Sequence, residues 1–223
     1  MYIISWVLNK FFLILSLLIA VTIHEYSHGW LAEKLGDSTA KDAGRLTFNP
    51  IPHIDSVGTI IMPISVLIIS SGTVTFGWAK PVPISLYNLN NPRLDTAKIS
   101  LAGPLSNLSM ATIAALLLRL GGILPENIFT STGSTSINNP FIVFLAYLIF
   151  INLLLGILNL IPIPPLDGSN ILGGYLPRKI GLRYKKTESY GIILILVLFF
   201  LFDGFNKIIL PLMGLILKLY SIH

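Results

Sequence analysis

Residues 21–30 read "VTIHEYSHGW", which sets two imidazoles and a carboxylate in an otherwise apolar stretch. In a helix, residues four apart share a face. His24 and His28 can therefore both reach one metal ion. Glu25 follows the first histidine and projects from the flank, close enough to a water activated by that ion to take its proton. This is the H-E-x-x-H arrangement of zinc hydrolases. Zinc polarises a scissile carbonyl and lowers the pKa of a water it holds to about 7. The glutamate then acts as general base and passes the proton to the leaving amine.

The surroundings sharpen that reading. Of 223 residues, 53% are apolar and only 11% charged, with mean hydropathy +0.78. A soluble domain carries about 25% charged residues. Several apolar runs approach or exceed the roughly 18 residues that mark a membrane-spanning helix. The chain is expected to be a multi-pass membrane protein of one domain, and the +5 net charge reflects basic cytoplasmic loops rather than a nucleic-acid partner. There is no cysteine, which excludes disulfides and thiolate zinc sites. Short motifs also arise by chance, and histidines can serve as interhelical hydrogen-bonding groups. In a bilayer, however, an ionised acid near a helix centre costs about 2.5–3.5 kcal/mol, so an intramembrane ionisable residue is a functional candidate.

A catalytic zinc needs a third protein ligand. Leu31 stands where the extended motif would place glycine, and Glu33 lies off the face. Asp167 is the first candidate. It lies in "LNLIPIPPLDGSNIL", where Pro162, Pro164 and Pro165 strip backbone donors from an apolar segment. Such disruption at membrane depth marks a site. The competing role for Asp167 is a helix N-cap. His53 and Asp55, in "NPIPHIDS", are rival ligands or second supports of the site, in a polar loop where a solvated role costs less. Asp203 is expected in a turn, and His223 is terminal.

These residues must be positioned by helices. The first is expected over 5–35, with Gly36 as its stop. Its N-terminal part lacks the small-residue cleavage site of a signal peptide and is expected to be retained. A polar loop covers 37–56. Further helices are expected over 94–120 and 141–161, then apolar segments at 190–202 and 205–220, divided at "FDGFNK". Between them, "GTVTFGWAKPVPI" (72–84) suggests a hairpin or irregular re-entrant piece, with an edge that could hold an extended peptide. Arg178, Lys179, Arg183, Lys185 and Lys186 place the 177–187 loop inside by the positive-inside rule, and 121–140, with no Lys or Arg, outside. The 34–56 loop also reads as internal, so 57–92 is expected to dip in and return. The fold class is all-α polytopic, with about five to six transmembrane helices and a re-entrant or β-hairpin element near 57–92.

"HEYSH" in a spanning helix, "AGPLSN" at 102–107 and "NLIPIPPLDG" at 159–168 together resemble the site-2 protease family of intramembrane zinc metalloproteases. "NPIPHIDSVGTI" and "GWAKPVPI" resemble its compact prokaryotic branch without a PDZ or CBS domain. The likeness runs from about 10 to 180, and the motifs in order are more specific than any one alone. It implies one zinc ion held by His24, His28 and Asp167, Glu25 as catalytic base, and Asn107 and Asn159 near substrate or transition state. An amide there could donate to a developing oxyanion or simply bond between helices. Ser169 and Asn170 stand where the family often has Gly and a basic residue, and Ser56 where it often has Pro. Neither departure removes a ligand or the base.

The function implied is cleavage of a transmembrane protein substrate in a prokaryotic cell membrane, from an active site open to the cytoplasm. The core would span 5–180, with helices over 188–220 as a lateral gate, and a regulatory membrane partner or a second copy as control. The alternative is a zinc-binding membrane transporter without hydrolysis. A transporter wants ligands and an exit route rather than a general base, and Glu25 beside His24 favours the enzyme.

Overall fold

The computed structural model describes residues 2–62, 65, 68, 77–125 and 139–221. Helix α1 (Tyr2–Lys34) is followed by the short α2 (Thr39–Asp42), then α3 (Pro92–Leu120), α4 (Pro140–Leu160), α5 (Asp167–Tyr175), α6 (Arg178–Lys185), α7 (Glu188–Leu196) and α8 (Leu210–Ser221). Three helices among the described residues are long and apolar enough to cross a membrane: Val7–Lys34, Pro92–Leu120 and Pro140–Leu160. Against the five to six spans expected, three meet that length and composition among the described residues. The C-terminal apolar segments are broken into shorter helices. The break falls at Phe202–Gly204, where Asp203 takes φ 54° and accepts a bond from Asn206.

Helix α3 is central and packs against α1, α4 and α5. Its Ala111, Ala114 and Ala115 are buried against Leu145, Ile149 and Leu153 of α4. Small residues matter here because lipid is as apolar as leucine; helices associate through close van der Waals contact and interhelical hydrogen bonds. Opposite this core, Val7, Phe11 and Ile14 form an exposed row on α1, spaced four and three residues apart, suited to acyl chains.

Helix α1 ends as its sequence suggests. Gly36 takes φ 108°, a left-handed conformation that favours glycine, and the Asp37 amide donates back to the Ala32 carbonyl at 2.9 Å. Asp37 then ties this end to the chain entering α3. Its carboxylate accepts from the Ser85 amide at 2.7 Å and the Asn88 side chain at 2.8 Å, and from both the amide and hydroxyl of Thr39.

The re-entrant region departs from expectation in one respect. No strand occurs among the described residues, and the hairpin proposed near 57–92 is not formed by residues 77–85, which carry neither helix nor strand. Pro81 and Pro83 lack the N–H that a ladder requires. Thr75 and Phe76 lie outside the described residues. Residues 58–59 and 78 are brought together: the Trp78 amide donates to Gly58 O at 3.0 Å, and the Thr59 hydroxyl to Trp78 O at 2.9 Å. Residues 56–61 form a single wide helical turn, capped by Asp55.

Candidate metal centre

Three ligand-type atoms meet between α1, α3 and the start of α5. His24 and His28 lie on one face of α1, with ring centroids 4.6 Å apart and planes at 89°. Asp167 opens α5, directly after the Pro-rich break. Its Oδ2 lies 3.1 Å from His24 Nε2 and 3.3 Å from His28 Nε2. Both histidines are buried and Asp167 is nearly so.

The other ring nitrogens fix the chemistry of this meeting. His28 Nδ1 is 2.7 Å from the Ile99 carbonyl, which can only accept, so Nδ1 carries the proton. The Asn107 amide donates to Ala20 O at 3.1 Å and to Asn152 Oδ1 at 2.9 Å. Its oxygen therefore faces His24 Nδ1 at 2.6 Å and accepts from it. Asn152 in turn donates to Leu148 O at 2.8 Å. In the neutral Nδ1–H tautomer, both Nε2 lone pairs point at a carboxylate oxygen. Three acceptors so placed repel one another unless a proton or a metal ion lies between. Two atoms about 2.0–2.1 Å from a tetrahedral zinc are about 3.3–3.4 Å apart, close to the spacing here. Two imidazoles and a carboxylate with no sulfur suit zinc. The residues present fit the ion.

A single stripe of α3 builds this arrangement. Ile99, Gly103 and Asn107 are spaced four residues apart and so share a face. Ile99 holds His28, Asn107 holds His24, and Gly103 leaves room for both rings. A Cβ on Gly103 would lie 2.5 Å from His28 Nε2 and 2.7 Å from His24 Cε1. Gly103 and Asn152 carried no assigned role in the sequence. A lone amide inside "FLAYLIFINLLLGI" was the available signal for Asn152.

Glu25 sits on the flank of α1, and its Oε2 accepts from the Val82 amide at 2.9 Å. The remaining sequence candidates fall elsewhere. Asn159 donates to Leu155 O of its own helix at 3.1 Å and makes no hydrogen bond to the cluster. His53 and Asp55 do not join it either. His53 is buried with Nε2 3.1 Å from Thr47 O, and Asp55 accepts from the Val57 and Gly58 amides as a cap. A loop so rich in unpaired backbone groups uses these side chains to satisfy itself.

Comparison with known proteins is consistent with this geometry. The family described as "Peptidase family M50" matches residues 12–202. The chain is 39% identical over 188 residues to the "Putative zinc metalloprotease YwhC" of Bacillus subtilis (strain 168), covering 84% of this chain and 80% of that one. It is 28% identical over 182 residues to the "Putative zinc metalloprotease Rip2" of Mycolicibacterium smegmatis (strain ATCC 700084 / mc(2)155), covering 81% of this chain and 63% of the relative. No solved structure matches the chain.

Proposed function

Because the chain belongs to peptidase family M50, we propose that it is an intramembrane zinc metalloprotease. Its substrates are peptide bonds within or near transmembrane segments of membrane proteins. His24, His28 and Asp167 hold one zinc ion, and Glu25 is the general base. The observation that carries this is the convergence of two imidazole nitrogens and a carboxylate oxygen beside a glutamate on a membrane-spanning helix.

Zinc, when bound, supplies Lewis-acid polarisation of the scissile carbonyl and acidifies water. The protein supplies the rest. Glu25 accepts the proton of the attacking water and delivers it to the leaving amine. Asn107 and the Ile99 carbonyl hold the imidazoles in the tautomer that turns both Nε2 atoms inward. The Asn107 amide protons are already committed to Ala20 and Asn152, which leaves none for an oxyanion. Asn159 has one amide proton bonded to Leu155 and a second available, so it is the better donor to a developing oxyanion.

Hydrolysis also needs water where lipid excludes it. His24 lies ten residues before Lys34, the basic end of α1. At about 1.5 Å per residue this is a depth of about 15 Å, within reach of a polar path from the cytoplasmic side. The substrate must unwind locally, since a helix shields its own carbonyls. The segments over 188–220 are the proposed lateral gate.

The test is Glu25→Gln in the purified, membrane-reconstituted chain, with zinc content and cleavage of a single-span substrate both measured. Retained zinc with lost cleavage supports the protease. Zinc carried across vesicles by unaltered protein that cleaves no candidate span would establish the transporter instead.

A further inference from the structure

Among the described residues, one buried cation forms no direct ion pair. Arg45 is only 8% exposed, and no ion pair to it occurs among the described residues. Burying a guanidinium without a counter-charge is costly. Its Nη2 donates to Lys80 O at 2.7 Å and to Pro81 O at 3.3 Å, while its Nε has no partner among the described residues.

The carbonyl of Pro81 and the amide of Val82 belong to one peptide unit. That unit is planar and trans, so its C=O and N–H point in opposite directions. Arg45 bonds the carbonyl end, and the amide end donates to Glu25 Oε2 at 2.9 Å. A buried positive group and the acid thus sit at the two ends of a single dipole, aligned so that each end meets its complementary charge.

The local sequence is built for this. Pro81 and Pro83 have no N–H, so Val82 is the single donor in the run 81–83. Each proline also disfavours the helical region in the residue before it, which keeps Lys80 and Val82 extended. The strap is anchored one residue earlier, where the Lys80 amide donates to His53 O at 3.0 Å, and the Val82 side chain is buried. His53 therefore reaches the centre through its backbone rather than its ring.

We propose that Arg45 is a positioning residue for Glu25: through the Pro81–Val82 peptide it fixes one carboxylate oxygen of the base and provides its buried counter-charge. This rests on Glu25 acting as the base. Fixing Oε2 leaves Oε1 to face the water from which it takes a proton.

The test uses the full chain in membranes, with Arg45→Gln, Arg45→Lys, Glu25→Gln and the double variant Glu25→Gln with Arg45→Gln. Zinc content, kcat and KM on a single-span substrate, and hydrogen exchange of the Val82 amide are measured. Arg45→Gln lowers kcat about 10–100-fold, the range for loss of an orienting partner, with KM within about twofold and zinc still one per chain. Arg45→Lys, which keeps charge and donors, recovers activity to within about fivefold of the unaltered protein. The double variant is no worse than Glu25→Gln alone, because Arg45 acts through Glu25. Val82 exchange is slow in the unaltered protein and accelerates at least about tenfold in Arg45→Gln as its opening becomes easier.

Unchanged kcat with unchanged Val82 protection in Arg45→Gln overturns the proposal. So does zinc lost in step with activity, or Arg45→Lys as impaired as Arg45→Gln. A freely exchanging Val82 amide in the unaltered protein overturns it even if Arg45→Gln fails to fold. Absence of cleavage by unaltered protein sinks the protease reading alone, since the dependence of Val82 exchange on Arg45 is still measured.

Discussion

Alanine at Gly103 is the smallest change that strikes the metal centre without touching a ligand. Its Cβ would lie 2.5 Å from His28 Nε2, 2.6 Å from His28 Cε1 and 2.7 Å from His24 Cε1, where ordinary contact begins at 3.4 Å. The His28 ring would have to retreat by about 0.9 Å, several times the ±0.2 Å that a metal site tolerates in its bond lengths. Moving α3 instead gives no relief, because Ile99 and Asn107 on the same helix hold the two Nδ1 atoms. A displaced support of this kind costs about 10–100-fold in metal affinity, or about 1.4–2.8 kcal/mol at about 1.4 kcal/mol per tenfold. Gly103→Ala is therefore expected to weaken zinc binding at least about tenfold in a chelator competition titration, with cleavage falling alongside. Gly214→Ala is the control: among the described residues no atom beyond its own helix backbone and chain neighbours lies within 4 Å of its Cβ, and alanine is the better helix former by about 0.8–1 kcal/mol. Gly103→Ala with unaltered zinc affinity and cleavage would refute the packing argument.

Asn107, Asp167 and Asp37 each give a further expected outcome. Asn107→Ala frees the His24 tautomer and is expected to lower zinc affinity about 10–100-fold by the same titration, whereas Asn152→Ala, one bond further out, lowers it less. Zinc at about 100 times its dissociation constant should stabilise the fold by about 2.7 kcal/mol relative to chelated protein, and Asp167→Ala should abolish that increment in thermal unfolding. Burial pushes the Asp37 carboxyl up, but the bonds it accepts from Thr39, Asn88 and Ser85 outweigh this and hold it below its usual value of 3.8. Its contribution to stability is therefore present above about pH 3.8 and is lost as pH falls through the lower folded value. Unfolding curves between about pH 3 and pH 6, the range in which carboxylates titrate, should show Asp37→Asn less stable than the unaltered chain at the upper end, with the gap closing toward the lower.

The parts legible in the sequence were those governed by local pattern. The three long helices fall within two or three residues of their expected bounds, because apolar run length and stop residues such as Gly36 are one-dimensional signals. The i, i+4 spacing of His24 and His28 carries their shared face. The Pro-rich break before Asp167 marks that residue in the sequence. What the sequence could not supply was register between helices. That Asn107 faces His24 while Asn159 turns back on Leu155 depends on how α3 and α4 rotate against α1. The β-branched and aromatic residues over 72–84 suit either a hairpin or an irregular piece, and Pro81 and Pro83 decide for the irregular one in the described part of that run. The contact from Val82 to Glu25 is made by a backbone amide, which has no residue-type signature at all.

Two imidazoles and the Asp167 carboxylate are proposed to grip one zinc ion inside the membrane-spanning fold. Zinc-edge X-ray absorption on the purified chain tests this most directly. The expected spectrum shows a shell of nitrogen and oxygen donors at about 2.0–2.2 Å, with the outer scattering of two imidazoles, altered in Asp167→Asn and unaltered in His53→Asn. A three-imidazole shell that responds to His53→Asn and ignores Asp167→Asn would contradict it.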